Sequence, residues 1–337
     1  MLTGRRKRAV SLKDSFNLIK KEIESVESIL SDLMNDFDPG VAPYVSYVCE
    51  TEGKRIRPAL TFLTGGAICE LKQDHINLGA ILELIHIASL VHDDIIDGAA
   101  DRRSVPTANA KWGEGIAVLL GDALFSHAMT LSTEFDDLFL SRRISQAARD
   151  VCQGEILQTQ KRFDLSMTQE DYFRVIEMKT GALFGAATGL SAYISGASES
   201  EVQDLTQFGL DLGTAYQIYD DCLDIVGSEQ QFGKTLGTDL EKGKLTLPLL
   251  YLLQNATDEK QQRIKETVMN EQPLDLPRLV GQEDYETAVA YALNYSLQLI
   301  QQCIDTANAL PNAKYRTALC SVCEYMRSLF QDLQRDL

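Results

Sequence analysis

Apolar residues return at three- and four-residue intervals along most of this chain. In SFNLIKKEIESVESILSDLM, residues 15–34, that spacing predicts an amphipathic helix. HINLGAILELIHIASLVHDDIID, residues 75–97, is apolar on most faces, which predicts a central, buried helix. The same periodicity runs through 115–135, 140–160, 169–195, 199–226, 245–254, 285–308 and 312–335. Turn chemistry breaks the pattern at DFDPG (36–40), SVPTANAKWGEG (104–115) and GSEQQFGKTLGTDLEKGK (227–244). No β-alternation of useful length occurs. The expectation is an all-α fold: one helical domain over 15–337, with ten or more helices around one core, preceded by a flexible basic tail over 1–14.

Composition narrows the setting. The net charge of −17 opposes nucleic-acid binding, which needs a basic surface to displace counterions. The one basic run, GRRKR at 4–8, reads as a solvated tail. Seven cysteines, an odd number, mostly sit inside apolar helical patterns. Cys320 and Cys323 have a lone CxxC-like spacing, which without a second pair points to buried thiols in a reducing compartment rather than to zinc. The N-terminus lacks the apolar segment of a signal peptide, and no apolar run reaches the ~20 residues of a membrane span. A cytoplasmic protein without a membrane span is expected.

The chemistry is concentrated in two acidic clusters. LVHDDIIDGAADRR (90–103) and YQIYDDCLDIVG (216–227) both contain DDxxD on a helical pattern. Positions i and i+4 share a helix face, so Asp93 pairs with Asp97 and Asp220 with Asp224, while Asp94 and Asp221 sit about 100° round. Like charges at that spacing destabilise a helix, and burial raises the cost unless a cation neutralises them. A single copy reads as a solvated helix face. Two copies, each following a strongly apolar segment, read as two walls of one cavity holding magnesium, a hard cation that shares its shell with substrate phosphates. Basic residues complete the picture: Lys54, Arg55 and Arg57 in GKRIRP, Arg102 and Arg103, Lys179 beside Thr180 in EMKTGALFG, and Lys234 and Lys244 in the 227–244 loop. Arginine forks and lysine point charges are phosphate-binding groups.

At these residues the chain resembles the trans-isoprenyl diphosphate synthases, the polyprenyl synthetase family. The likeness runs from about residue 15 to the C-terminus through GKRIRP, HDDIID…DRR, GD at 121–122, KTGALF, YQIYDD…D and GKTLGTDLEKGKLTLP, in the family's order. It implies an all-helical bundle with a deep central cavity, usually a homodimer. It also implies Mg2+-dependent head-to-tail (1'-4) condensation of isopentenyl diphosphate with an allylic diphosphate, with three magnesium ions when substrate is bound. Carried over by residue, Asp93 and Asp97 would hold magnesium on the allylic diphosphate, and Asp220 with Asp224 a further ion from the opposite wall. Arg102, Lys179, Gln217, Lys234 and Lys244 would contact the same diphosphate. Lys54, Arg57, His86 and Arg103 would hold isopentenyl diphosphate, and Thr180 and Gln217 would face the developing cation. His75, His92 and His127 read as structural. Ser104 stands where the family usually has glycine after the paired arginines.

The positions four and five before the first motif, Ser89 and Ala88, are small. In this family bulky residues there form a floor, so a medium- or long-chain, octaprenyl-type product is implied, with a quinone side chain as its usual fate. An eight-unit product needs roughly 40 Å of tunnel, about one helical turn per unit. Phe135, Leu140 and Ile144 are candidates for a deeper floor, although a plain core role suits each. The alternatives are a short-chain synthase or a non-catalytic subunit of a heteromeric synthase. Terpene cyclases and head-to-head synthases would not need GKRIRP, and a calcium protein would carry loop ligands.

Overall fold

The computed structural model describes residues 12–51, 53–103, 105–226, 238–270, 275–335 and 337. The elements in order are α1 (Leu12–Leu18), α2 (Lys20–Asp32), a 3-10 turn (Leu33–Asp36), α3 (Ala42–Cys49), α4 (Ile56–Ile68), α5 (Gln73–Ile96), α6 (Ala108–Trp112), α7 (Glu114–Ser132), α8 (Leu138–Gln160) and α9 (Gln169–Ile176). A π-helical segment (Glu177–Gly181) leads into α10 (Ala182–Ile194). Then follow α11 (Glu199–Val226), α12 (Thr238–Glu241), α13 (Leu247–Asn255), α14 (Asp258–Met269), α15 (Leu276–Val280), α16 (Gln282–Asn308) and α17 (Ala313–Arg335). The all-α reading holds. Among the described residues the only strand pairing is the hairpin of Asp101–Arg102 with Val105–Pro106.

Helix α5 is central, as its apolar circumference requires. It packs against α2, α4, α7 and α10, and Leu78, Ile81, Leu82, Leu84 and Ile85 are fully enclosed. One contiguous apolar core extends from Ile19 to Leu333. Helices α10 and α11 meet along a seam of small residues. A Cβ on Gly209 would fall 2.4 Å from the Phe184 carbonyl oxygen, and one on Gly213 would fall 2.9 Å from Gly181 Cα. Only bare backbones can come this close, and the approach sets Thr180 against Gln217.

The structure departs from the periodicity in several places: the expected helix over 15–34 breaks at Ile19 into α1 and α2, and α14 lies where no periodic segment was read. The expected helix over 169–195 is divided by the π segment, which coincides with EMKTG. Extra turns of this kind inside helices are rare and concentrate at functional sites. Helices α3 and α4 were not evident as periodic segments: α3 is only eight residues, and α4 is buried on nearly all faces. Helix α4 carries Pro58 in its first turn, where a missing N–H costs no bond.

Helix α7 corrects one expectation. By length and composition alone it is apolar enough to cross a membrane. One side, through Ala117, Leu120, Leu124 and Ala128, is buried, whereas Val118 and Leu119 on the other are exposed, Leu119 at 65%. All seven cysteines are free, and Cys320 and Cys323 occupy one face of α17.

Candidate active site

The first acidic cluster ends α5. Asp97 is the residue that closes the helix. Its Oδ1 accepts from Arg162 Nη2 at 2.9 Å, and its Oδ2 lies 3.6 Å from both Lys242 and Lys244 Nζ. Burial works against the charge on Asp97, but Lys244, Lys242, Lys179 and Arg162 outweigh it and hold the carboxyl below its ordinary range. Asp93, one turn back on the same face, is 3.8 Å from Lys179 Nζ. Burial pushes Asp93 up to about 6; Lys179 pulls against that, and Glu155 and Asp97 add to it. Lys179 is also ion-paired to Glu155 on α8.

Asp94 points elsewhere, as helical geometry requires. It is buried and receives Arg102 Nε at 2.9 Å and Nη2 at 2.8 Å. The sequence suggests that Arg102 serves as a separate grip on diphosphate rather than as a partner for the aspartates. In the structure Arg102 also pairs with Asp94, while its side chain stays 36% exposed and lines the cleft.

The second cluster lies on α11. Asp221 accepts from the Tyr172 hydroxyl at 2.6 Å and from Gln217 Nε2 at 2.8 Å. Gln217 Oε1 in turn accepts from Thr180 at 2.8 Å, so a hydrogen-bond chain runs from the π segment to the second motif. Burial pushes Asp221 up to about 7, with Asp239 adding to it. Asp224 is buried and accepts the Asp239 backbone N–H at 3.1 Å. Asp220 is half-buried.

Lys244 joins the two clusters. Its Nζ is 3.1 Å from Asp239 Oδ1 while it faces Asp97. Despite burial, these carboxylates hold its ammonium above the ordinary lysine value. A clasp positions this bridge. Phe163, in left-handed backbone geometry, donates its N–H to the Gly243 carbonyl at 2.9 Å. Gly243, at φ 74°, has no side chain to meet the Phe163 ring. The residues beside the clasp are Arg162, Lys242 and Lys244. A pocket of about 450 Å³ is lined by Lys179, Thr180, Gln217, Asp221 and Lys244.

A cleft of about 580 Å³ on the other flank of α5 is lined by Arg55, Glu83, His86, Arg102 and Arg103. Burial and then Arg57, Arg102, Arg103 and Arg55 hold His86 well below its ordinary range, so the imidazole is neutral inside an electropositive wall. Arg57 stands 5.1 Å over the Phe184 ring, and its buried Nε has no hydrogen-bond partner among the described residues. Lys54 is exposed. His75 bonds Lys72 and Ser195, and His92 lies near Asp122 on α7; both are structural. Gly121 makes room for the His92 ring, which accounts for the GD pair.

Ser89 is half-buried one turn below Asp93, and its hydroxyl bonds the His86 carbonyl at 2.8 Å. Ala88 is fully enclosed, so it lines packed core and not open space. Phe135, Leu140 and Ile144 are buried core residues. Lys234 and Ser104 lie outside the described residues. Arg162, Lys242, Glu155 and Asp239 were missed by sequence reasoning. Asp239 and Lys242 fall inside GTDLEKGK, where only lysines of the expected pattern drew notice.

The donors fit a hard divalent ion that keeps part of its shell for substrate. The carboxylates come in pairs, Asp93 with Asp97 at the end of α5 and Asp220 with Asp224 on α11. That suits magnesium, which takes one or two carboxylates plus phosphate oxygens. The three cations on Asp97 stand where such charge is needed.

The family model for polyprenyl synthetase matches residues 39–280. The chain belongs to the polyprenyl synthetase family. Over 318 residues this polyprenyl synthetase is 31% identical to heptaprenyl diphosphate synthase component 2 of Bacillus subtilis, covering 94% of this chain and 90% of that one. It is 38% identical over 222 residues to octaprenyl diphosphate synthase of Escherichia coli, covering 66% and 69%. A polyprenyl synthase from Caulobacter crescentus, solved with calcium and isoprenyl diphosphate, superposes with a TM-score of 0.85 at 27% identity, covering 96% and 99%. Family and fold make this chain a prenyltransferase.

Proposed function

We propose that this polyprenyl synthetase condenses isopentenyl diphosphate head to tail with an allylic diphosphate, building a medium- or long-chain all-trans product. The observation that carries the reading is the Lys244 bridge, which runs from Asp97 at the end of α5 to Asp239, whose backbone N–H bonds Asp224 on α11. Asp93 and Asp97, with Asp220 and Asp224 opposite, would hold magnesium, three ions when substrate is bound. Magnesium, when present, would supply Lewis-acid charge at the departing diphosphate.

The chain's own residues do the rest. Lys179, held by Glu155 beside Asp93, places positive charge where the leaving oxygen departs, and Lys244, Arg162 and the open edge of Arg102 extend it. Lys234 is assigned the same task by its motif. Thr180 and Gln217 present oxygens toward the allylic cation. Lys54, Arg57, His86 and Arg103 hold isopentenyl diphosphate so that its double bond attacks that cation. The proton lost afterwards goes to the released diphosphate. The enclosing apolar wall keeps water from the cation.

The small Ser89 puts no bulky side chain one turn below Asp93, and the relatives named for heptaprenyl and octaprenyl products support a long chain. The exposed apolar stripe of α7, Val118 and Leu119, suits a homodimer contact. Free thiols suit the cytoplasm. Purified protein incubated with magnesium, isopentenyl diphosphate and farnesyl diphosphate should yield products of defined length by chromatography. No elongation by the isolated chain would refute the reading, and products of 15 or 20 carbons from shorter primers would refute its long-chain part.

A further inference from the structure

In GKRIRP the two cations assigned to isopentenyl diphosphate flank a third whose donors are taken up by protein. Arg55 is 6% exposed and precedes α4 in left-handed geometry, φ 47°. Its guanidinium makes four hydrogen bonds to protein. Nε and Nη2 fork onto Glu27 at 2.6 and 3.1 Å, Nη1 reaches Glu83 at 3.0 Å, and Nη2 also reaches the Cys49 carbonyl at 3.4 Å. Glu83 is buried on α5, one turn before His86. Gly53 lies under both this guanidinium and that of Arg103: a Cβ there would stand 3.1 and 3.3 Å from their Nη1 atoms.

We infer that Arg55 is a positioning residue for isopentenyl diphosphate. Its donors are committed to Glu27 and Glu83, so it ties the loop bearing Lys54 and Arg57 to the helix bearing His86. A bidentate fork fixes orientation as well as distance, which a lysine point charge does not. The left-handed backbone at Arg55 separates Lys54, in the preceding loop, from Arg57, in the first turn of α4. The inference rests on the substrate assignment made above.

The test is steady-state kinetics of Arg55→Lys and Glu27→Gln with both substrates varied. Arg55→Lys should raise KM for isopentenyl diphosphate on the order of tenfold to a hundredfold, the scale of a ~1 Å misplacement. KM for the allylic substrate and kcat at saturation should stay within about twofold. Glu27→Gln should move the same KM in the same direction by about threefold, because one charge-assisted bond is weakened. A purely structural role would lower the active fraction, and so kcat, without separating the two KM values. Where Arg55→Lys does not fold, Glu27→Gln, whose side chain is 46% exposed, carries the test. Both KM values moving together, or neither moving, would overturn the inference alone. Wild-type protein that condenses nothing would overturn it together with the proposed function.

Discussion

Replacing Gly154 with alanine adds one methyl group where α8 crosses the π segment. The new Cβ would stand 2.5 Å from the Lys179 backbone nitrogen, 2.8 Å from its Cα and 3.0 Å from its Cβ. Backbone atoms cannot rotate away, so the two elements must part by about 1 Å to reach ordinary carbon contact. Overpacking of that kind costs about 3 kcal/mol at the upper end of its usual range, and the better helix propensity of alanine returns about 1 kcal/mol. The net loss is about 2 kcal/mol. The unfolding entropy of a chain this long is about 0.7 kcal/mol/K, which sets the fall in Tm at about 3 °C. Gly115→Ala is the control, since nothing lies within 4 Å of its Cβ position; its Tm should hold or rise slightly. The π segment also carries Lys179 and Thr180, so Gly154→Ala should lower kcat/KM on the order of a hundredfold. Differential scanning calorimetry and initial rates read both effects. A Gly154→Ala protein with wild-type Tm and with kcat/KM within twofold of wild type would refute the account of how α8 sets this segment.

Other expectations follow from the same geometry. Between the ordinary aspartate range and about 7, folded protein keeps a proton on Asp221 that the unfolded chain releases, so this group's contribution to stability falls as pH rises from 5 to 8. Asp221→Asn should therefore gain Tm over wild type at pH 8 and lose that gain at pH 5, measured in a chelator; parallel curves would contradict the assignment. Magnesium with inorganic diphosphate at 100 times its Kd should stabilise the protein by about 2.7 kcal/mol, and chelation should remove the effect; a Tm indifferent to both would count against the site. Ser89→Phe should shorten the product, whereas Ala88→Tyr, at a fully enclosed position, should cost about 1–3 kcal/mol of stability in denaturant melts. Unchanged product length with Ser89→Phe would remove Ser89 from the tunnel wall.

Much of this was legible in the chain because helical periodicity and DDxxD spacing are local. The expected bounds of α5, α8, α11 and α17 agree with the structure to within about two residues. Which carboxylate of each motif faces which partner was also legible in part: Asp93 and Asp97 share a face, and Asp94 does not. Partnership across the fold was not. Arg162 falls just beyond the expected 140–160 helix, and only the fold, with the Phe163–Gly243 clasp beside it, places it on Asp97. Arg55 reads as one of three equivalent cations until Glu27 and Glu83 claim it. Periodicity could not reveal the π segment either, because widening one turn by about one residue leaves each flanking stretch with ordinary helical spacing.

The three cations gathered on Asp97 make loading an exchange. A metal ion arriving there must displace Arg162, Lys242 or Lys244, and a displaced cation in that cavity needs a new anion. A diphosphate supplies it. Metal alone meets a carboxylate already balanced, and diphosphate alone meets cations already engaged. With the metal on Asp97 as proposed, each would therefore raise the affinity of the other by the same factor, as thermodynamic reciprocity demands. The enzyme would then resist stray divalent ions and stray anions alike, and commit its charges only to the two together.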